Sequence, residues 1–433
     1  MLVLTILGEQ TRLMLYKMII RLFGGVTVKN PPVGVLSWRR TVLMIVGLPL
    51  AISLAVMAYA WPASRIEPRD LPVGIVGTST ASQNAVEGLT RAMPDGFDFH
   101  LYPDQASARS AIKSREVYGA FVISPGKVTV LEASAASTSV AQLLDKSGQQ
   151  LASRATELAK KRAALPAHGS RAKKGVVKTV PKVSMKTMDV VPTAADDPRG
   201  VVFSSALLPL TMCSILLAAL ITLSGLHLPG WRRSIDLIIV CAVAGLAAYL
   251  ITQGILGALP HKHVATWAAL SLTMLAISAT CAGLIKLIGH PGLGLSAVLM
   301  VFVGNPFSGS TSAPELLPKA VDDIGQWLPP GAGANLLRST AYFNGNGSGG
   351  HIAVLVLWCV LGLASVVFGR RTLVAAGDTI DDDREPSETS AEGVPAGEPA
   401  NALMQPTQGP IPSPSLALEV RRPHSHARHA AHE

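Results

Sequence analysis

The chain has 433 residues, of which 49% are hydrophobic and only 15% charged, with a mean hydropathy of +0.38. That leaves too little polar surface to coat a soluble protein of this size. A net charge of +9 could suit nucleic acid, but the basic residues stand beside apolar runs or in one polar insert, without interleaved aromatics. That excludes a nucleic-acid groove and makes anionic membrane lipid the expected acidic partner.

Taken in chain order, residues 1–40 are apolar with spaced basic residues and no small-residue cleavage site, which predicts an interfacial helix on the cytoplasmic face rather than a removed leader. Six apolar runs follow, each uncharged at its middle and most of them near the roughly 20 residues that cross a bilayer. The first covers 41–61, the next three run from Val201, Ile235 and Ala265, a shorter one spans Leu293 to Val303, and the last runs from His351 to Phe368. The fold class is therefore an α-helical polytopic membrane protein with six transmembrane helices. Residues 201–370 carry all but the first of these helices, and 371–433 form a cytoplasmic tail rich in Pro, Ser, Ala and Glu, predicted to be disordered.

Arg39 and Arg40 precede the first run, Arg232 and Arg233 separate the second from the third, and Arg370 and Arg371 follow the last. Lys and Arg in short segments resist export, so both termini are predicted cytoplasmic. All four cysteines (Cys213, Cys241, Cys281, Cys359) lie within apolar runs and lack metal-ligand spacing. The tail histidines His424, His426, His429 and His432 read as a solvated tract rather than a metal site.

Residues 62–200, between the first two runs, have a different grammar and predict an extracytoplasmic α/β domain. Val73 to Val76 reads as a strand, Ser79 to Ala92 as a helix, Phe97 to Tyr102 as a strand, and Asp104 to Arg115 as a helix opening on an Asp cap. A hairpin about Pro125-Gly126 joins Gly119–Ser124 to Val128–Leu131, and a long helix covers Thr138 to Ala164. That helix packs on the sheet or pairs with a second copy. The basic stretch to Lys186 is read as extended or partly disordered, returning the chain to the membrane. Segment 305–350 is predicted to be amphipathic and on the outer side: Leu316, Leu317, Ala320, Val321, Ile324, Trp327 and Leu328 share one helical face, opposite Glu315, Lys319, Asp322, Asp323 and Gln326.

Three stretches carry a family resemblance. They are the insert with Tyr118-Gly119-Ala120-Phe121-Val122-Ile123-Ser124-Pro125-Gly126; the pair Asp189-Val190-Val191-Pro192 and Asp196-Asp197-Pro198-Arg199-Gly200; and Gly304-Asn305-Pro306-Phe307-Ser308-Gly309 followed by Leu328-Pro329-Pro330-Gly331 and Leu336-Leu337-Arg338. Over roughly residues 40 to 370 the sequence resembles the ABC-2 type permeases, in particular the phage-infection-protein-like branch. The resemblance implies an export permease of the bacterial plasma membrane that forms a homodimer and engages a separate ATP-binding subunit. It further implies ATPase docking at His227, Trp231, Arg232 and Arg233, and an outer gate between Pro314 and Arg338 with Asn305, Trp327 and Arg338 as its candidate residues. The same positions also read as a positive-inside topology signal and as an inert interfacial cap, respectively.

The chain itself has no G-x-x-x-x-G-K-[ST] phosphate loop and no catalytic motif, so it is read as no enzyme, with no cofactor, and as carrying a lipidic or apolar cargo for want of intramembrane charge. The alternative is a non-transporting envelope protein whose external domain is a receptor or assembly platform.

Overall fold

The computed structural model describes residues 42–77, 79–164, 182–224, 228–259 and 263–369, all within the first of two units into which the chain divides, Met1–Asp378. The expected interfacial segment 1–40, the tail 371–433 with its histidines, and His227 lie outside the described residues.

A π-helical turn, Leu43–Gly47, leads into α1 (Leu48–Ser64). Pro62 is the one residue of α1 that is buried, while Leu50, Ile52, Leu54 and Val56 are exposed, so α1 presents apolar side chains nearly all round. The chain then enters the insert, where β1 (Leu71–Val76), α2 (Thr80–Ala92), β2 (Phe97–Tyr102), α3 (Gln105–Lys113), β3 (Gly119–Ser124) and β4 (Lys127–Glu132) follow the predicted order. Ser79 and Asp104 cap α2 and α3, accepting from the N–H groups of Ser82 and Ser107. The long helix α4 (Thr138–Ala164) has the predicted bounds and lays Val140, Leu144 and Leu151 against the sheet, while Leu158 is exposed.

The sheet order is β2-β1-β3-β4-β5, with β1 parallel to both β2 and β3 and β3 antiparallel to β4. The fifth strand, β5 (Ser184–Asp189), corrects the reading of this stretch as a plain return to the membrane: it pairs parallel to β4 along its whole length. Only Met185, Met188 and neighbouring edge atoms touch the core, so its alternation is too faint to see in a Lys-rich context. Phe121, Leu71, Ile75 and Leu131 form the fully buried centre.

The carboxyl of Glu132, ending β4, is pushed up to about 7, chiefly by loss of water and then by Asp189 and Asp145, and its Oε2 is buried without a partner among the described residues. A carboxyl kept neutral in the fold but ionised in the unfolded chain lowers stability as pH rises from the ordinary carboxylate range to about 7, and no further above that. Glu132→Gln is expected to remove this fall and to slow amide exchange in β4 and β5 above neutrality, a difference that hydrogen exchange across pH will read.

The chain re-enters the helical bundle at α5 (Val201–Ser224). Asp197, buried at the mouth of this helix, accepts from the N–H groups of Val201 and Val202, both at 2.9 Å, which explains why an Asp-Pro-Arg-Gly turn stands there. Helix α6 (Gly230–Tyr249) runs on through a π segment, Leu250–Ile255, and α7 (His263–Ile288) forms the bundle centre with most of its length buried. After a hairpin at Gly289 comes a composite helix: α8 (His290–Ala297), a π segment Val298–Gly304 and α9 (Asn305–Phe307). A 3₁₀ turn Pro314–Leu316, α10 (Lys319–Trp327) and α11 (Pro329–Tyr342) follow, and α12 (Gly349–Phe368) closes the bundle.

Among the described residues five helices are long and apolar enough to cross a membrane: Ile45–Ser64, Val201–Ser224, Gly230–Ile255, His263–Ile288 and Gly349–Phe368. The predicted run Leu293–Val303 is the composite helix, which the π segment interrupts.

Candidate functional site

One end of the bundle gathers the start of α6, the close of α7 and the close of α12. Space for a side chain at Gly230 is filled by the Val366 carbonyl, and the Lys286 stem lies against Gly369. The docking candidates Trp231 and Arg232 are exposed here. Arg233 is 4% exposed and turned into the helices, so it is unavailable as a surface contact.

The opposite end carries the insert and the hairpin of α10 and α11. Helix α11 is buried on every face over all 14 of its residues, although it contains Asn335, Arg338, Ser339 and Thr340. Such a helix survives only if its polar groups find partners, and several of these come from the insert. Helix α3 ends in a Schellman turn: the Arg115 N–H bonds the Ile112 carbonyl and the Glu116 N–H bonds the Ala111 carbonyl. The left-handed position of that turn, where glycine is favoured, is held by Arg115 at φ 64°. From there its guanidinium enters the hairpin, donating from Nη1 to the Asn335 carbonyl at 3.1 Å and to Ser339 Oγ, and from Nη2 to Asn335 Oδ1 at 3.0 Å. The same Asn335 Oδ1 accepts from Arg338 Nη1 at 3.2 Å, and Asn335 Nδ2 donates to Gln326 Oε1 at 2.6 Å. One amide thus joins the insert to both arms of the hairpin.

A second tie is Tyr118, whose hydroxyl donates to Glu315 Oε2 at 2.7 Å; burial, and then the Glu315 charge, push this phenol well above its ordinary value. A third is the strand-like pairing of the chain after α1, where the Glu67 and Arg69 N–H groups bond the Leu316 and Glu315 carbonyls. Asn346 Nδ2 completes the set on the Lys113 carbonyl at 3.0 Å. Between insert and hairpin lies a cavity of about 260 Å³ lined by Arg115, Tyr118, Glu315, Asp322, Gln326 and Asn335 among others. Asp322 Oδ1 is buried there without a partner among the described residues, and burial followed by the Glu315 and Asp323 charges pushes its carboxyl up to about 6.

The three gate candidates are therefore in three different settings. Arg338 is central, 4% exposed and stacked 5.0 Å from the Phe203 ring. Asn305 lies near the end of the composite helix, accepting from Thr211 Oγ1 and donating to the Met300 carbonyl, both at 3.3 Å. Trp327 is 64% exposed; its carbonyl, not its ring, meets the protein, accepting from Trp358 Nε1 at 2.8 Å.

The apolar face expected of α10 is accordingly split. Leu316, Leu317, Val321 and Leu328 are buried whereas Ala320, Ile324 and Trp327 point outward, and Gln326 and Asp322 turn into the cavity. Arg115, Tyr118, Glu315 and Asn335 escaped the reading as functional residues. The one local signal was an arginine where a helix stop ordinarily has glycine. No group of three His, Cys, Asp or Glu side chains able to hold a metal occurs among the described residues. The arrangement offers no nucleophile with a base; it can hold, orient and couple.

No curated protein and no solved structure matches the chain. Residues 39–226, from the first span through the insert to the end of α5, match the family described as ABC-2 family transporter protein. With several apolar helices long enough to span a bilayer, the chain is a multi-pass membrane protein that over residues 39–226 is similar to the ABC-2 family of transporter permeases.

Proposed function

We propose that the chain is the membrane-spanning subunit of an ABC-type exporter of the phage-infection-protein-like branch, working as a homodimer with a separate ATP-binding subunit in the bacterial plasma membrane and moving a lipidic or apolar cargo. The insert is its external domain and the α10–α11 hairpin its outer gate. The observation that carries this reading is a fully buried polar helix held in place by the insert, at the end of the bundle opposite Trp231 and Arg232. A gate there, driven from the far end, needs a rigid body to act upon, and the Arg115 and Tyr118 ties supply one.

Six crossings are supported by the composite helix, whose 18 consecutive helical residues from His290 to Phe307 extend roughly 27 Å at the usual rise. It starts beside the Lys286 end of α7, and the chain after it reaches Glu315, which pairs with Arg69 on the insert side. An odd number of crossings would strand one of these ends. The nearly unburied α1 supports a second copy or lipid along that face.

Co-purification from native membrane tests the assignment. An ATP-binding subunit is expected to accompany the chain, hydrolyse ATP in the complex, and be lost on changing Trp231 to Ala together with Arg232 to Glu. A stable chain free of any ATPase, with no ATP-dependent flux, would instead leave the envelope-receptor reading, in which the external domain binds a partner and the Trp231 and Arg232 changes alter nothing.

A further inference from the structure

The cavity described above faces Arg115, but Arg338 also lines a second one, on the other side of Asn335. This cavity, of about 210 Å³, lies among α5, the start of α4 and the chain at Ser310 to Ser312. Its wall is unusual in composition: Ser137, Thr193, Ser204 and Ser312 contribute hydroxyls, Arg338 and Arg199 contribute positive charge, and no carboxylate is among its lining residues. Asp197, the nearest acidic residue in sequence, is committed to the first N–H groups of α5.

Arg338 is the decisive group. It is 4% exposed, and among the described residues no carboxylate oxygen lies within ion-pair distance of it. It donates to Asn335 Oδ1 and to the Ser310 carbonyl, at 3.2 Å each, which leaves further donors of its planar fork unspent. The carboxylate whose charge reaches it, Glu315, acts on Arg115 as well and already accepts from the Tyr118 hydroxyl; a buried cation without an anion in direct contact is costly, and proteins ordinarily place one beside it. The second guanidinium, Arg115, on the same Asn335 oxygen makes the shortage worse.

A third cavity, of about 360 Å³, adjoins this one and shares Ser204, Ser310, Thr311 and Ser312 with it. Its walls are otherwise largely apolar, with Tyr59, Ile66, Leu207, Leu208 and Leu317, and it opens between α1 and α5, where Leu208 and Ile66 are exposed. The two cavities together have a polar, cationic end inside the protein and an apolar end on the face where two spans meet lipid.

We propose that this pair of cavities binds an amphiphile with an anionic head group, a phosphate, sulfate or carboxylate, its head on Arg338 and the hydroxyls and its tail between α1 and α5. The site deepens the permease reading by naming the charge of the cargo, and it rests on that reading only for what becomes of the ligand. Binding itself requires no ATPase.

The test uses the full chain purified in an uncharged detergent, with three probes followed by native mass spectrometry and thermal shift: dioctanoyl phosphatidylglycerol, dioctanoylglycerol and inorganic phosphate. Phosphatidylglycerol is expected to bind, the uncharged glyceride far less, and phosphate alone only weakly. Arg338→Gln removes the charge while keeping a polar side chain, and is expected to weaken phosphatidylglycerol binding roughly tenfold or more. Should that variant not fold, Arg199→Gln at the mouth is expected to weaken lipid binding in a salt-dependent way. Leu208→Trp, which fills the apolar cavity, is expected to weaken the lipid while leaving phosphate unchanged.

Equal binding of both glycerides, or binding indifferent to loss of these arginines, overturns the head-group site. Phosphate bound as tightly as the lipid assigns a free-anion site and overturns the amphiphile. A chain that binds phosphatidylglycerol yet has no ATPase and no flux sinks the permease reading alone, whereas a chain that travels with its ATPase but ignores all three probes sinks only this site.

Discussion

Replacing Arg115 with glycine is expected to uncouple the insert from the α10–α11 hairpin while leaving helix α3 intact. The position is left-handed, at φ 64°, so glycine relieves about 1 kcal/mol of backbone strain that arginine carries there. Every loss in this variant therefore reports on the guanidinium. Its removal leaves Ser339 Oγ without that donor, the Asn335 carbonyl with its helix N–H alone and Asn335 Oδ1 with Arg338 alone, inside a helix that has no exposed face. Each orphaned buried polar group costs about 1–3 kcal/mol, so the net expectation is several kcal/mol against docking of the insert, offset only slightly by the backbone. Three readouts separate the effects: exchange of the α3 amides stays slow, whereas limited proteolysis within 305–350 accelerates and, on the exporter function proposed above, ATP-dependent transport falls sharply. Arg115→Lys, which cannot form the fork on Asn335, is expected to lie nearer to glycine than to arginine. Unchanged proteolysis in Arg115→Gly would show that the guanidinium does not hold the hairpin.

Gly362→Leu is expected to prevent assembly of the bundle. Helices α7 and α12 approach so closely that a Cβ at Gly362 would stand 2.4 Å from the Ala279 carbonyl carbon and 2.5 Å from its oxygen, with backbone rather than a yielding side chain in the way. Gly283 answers from the other helix, where a Cβ would stand 3.0 Å from the Gly362 carbonyl oxygen. Small residues at such crossings let membrane helices gain contact that lipid cannot replace, and overpacking a fixed core costs about 1–3 kcal/mol even for a methyl or two. The leucine variant is expected to lose its monodisperse peak in detergent, and Gly362→Ala to retain it at lowered thermal stability. Val360→Leu, two residues away and 57% exposed, serves as the lipid-facing control and should behave as the parent. A monodisperse Gly362→Leu protein would contradict the close crossing.

The spans and most of the insert were legible because each rests on a local property. An uncharged run needs no partner to prefer lipid, the short β-rich run Val73–Val76 marks a buried strand, and the 3.6-residue spacing of Val140, Leu144 and Leu151 records the face that meets the core. The rest depended on chain neighbours far apart in sequence. Strand β5 shows only Met185 and Met188 to the core, among lysine and threonine, and exists because β4 offers an open edge. The split face of α10 was invisible for a reason particular to membranes: Ile324 and Trp327 are apolar because they face outward, Val321 because it faces protein, and periodicity cannot tell those environments apart. Arg115 meets Asn335 across 220 residues, a separation no motif spans. The composite helix was read as a short span because Gly and Pro flank it, and its π segment, with Asn305 turned back to Met300, is a backbone feature that composition does not encode.

The central claim is that the insert and the hairpin share the outer side of the membrane while the start of α6 lies within the cell. Labelling of intact cells with a membrane-impermeant maleimide tests it most directly, in a chain whose four cysteines are replaced and which carries either Ser124→Cys, at the exposed tip of the β3–β4 hairpin, or Ser224→Cys, at the close of α5. The account predicts that position 124 labels in intact cells and position 224 only after permeabilisation. Labelling of position 224 outside, with position 124 protected, would invert the bundle and remove the outer gate along with the exporter assignment.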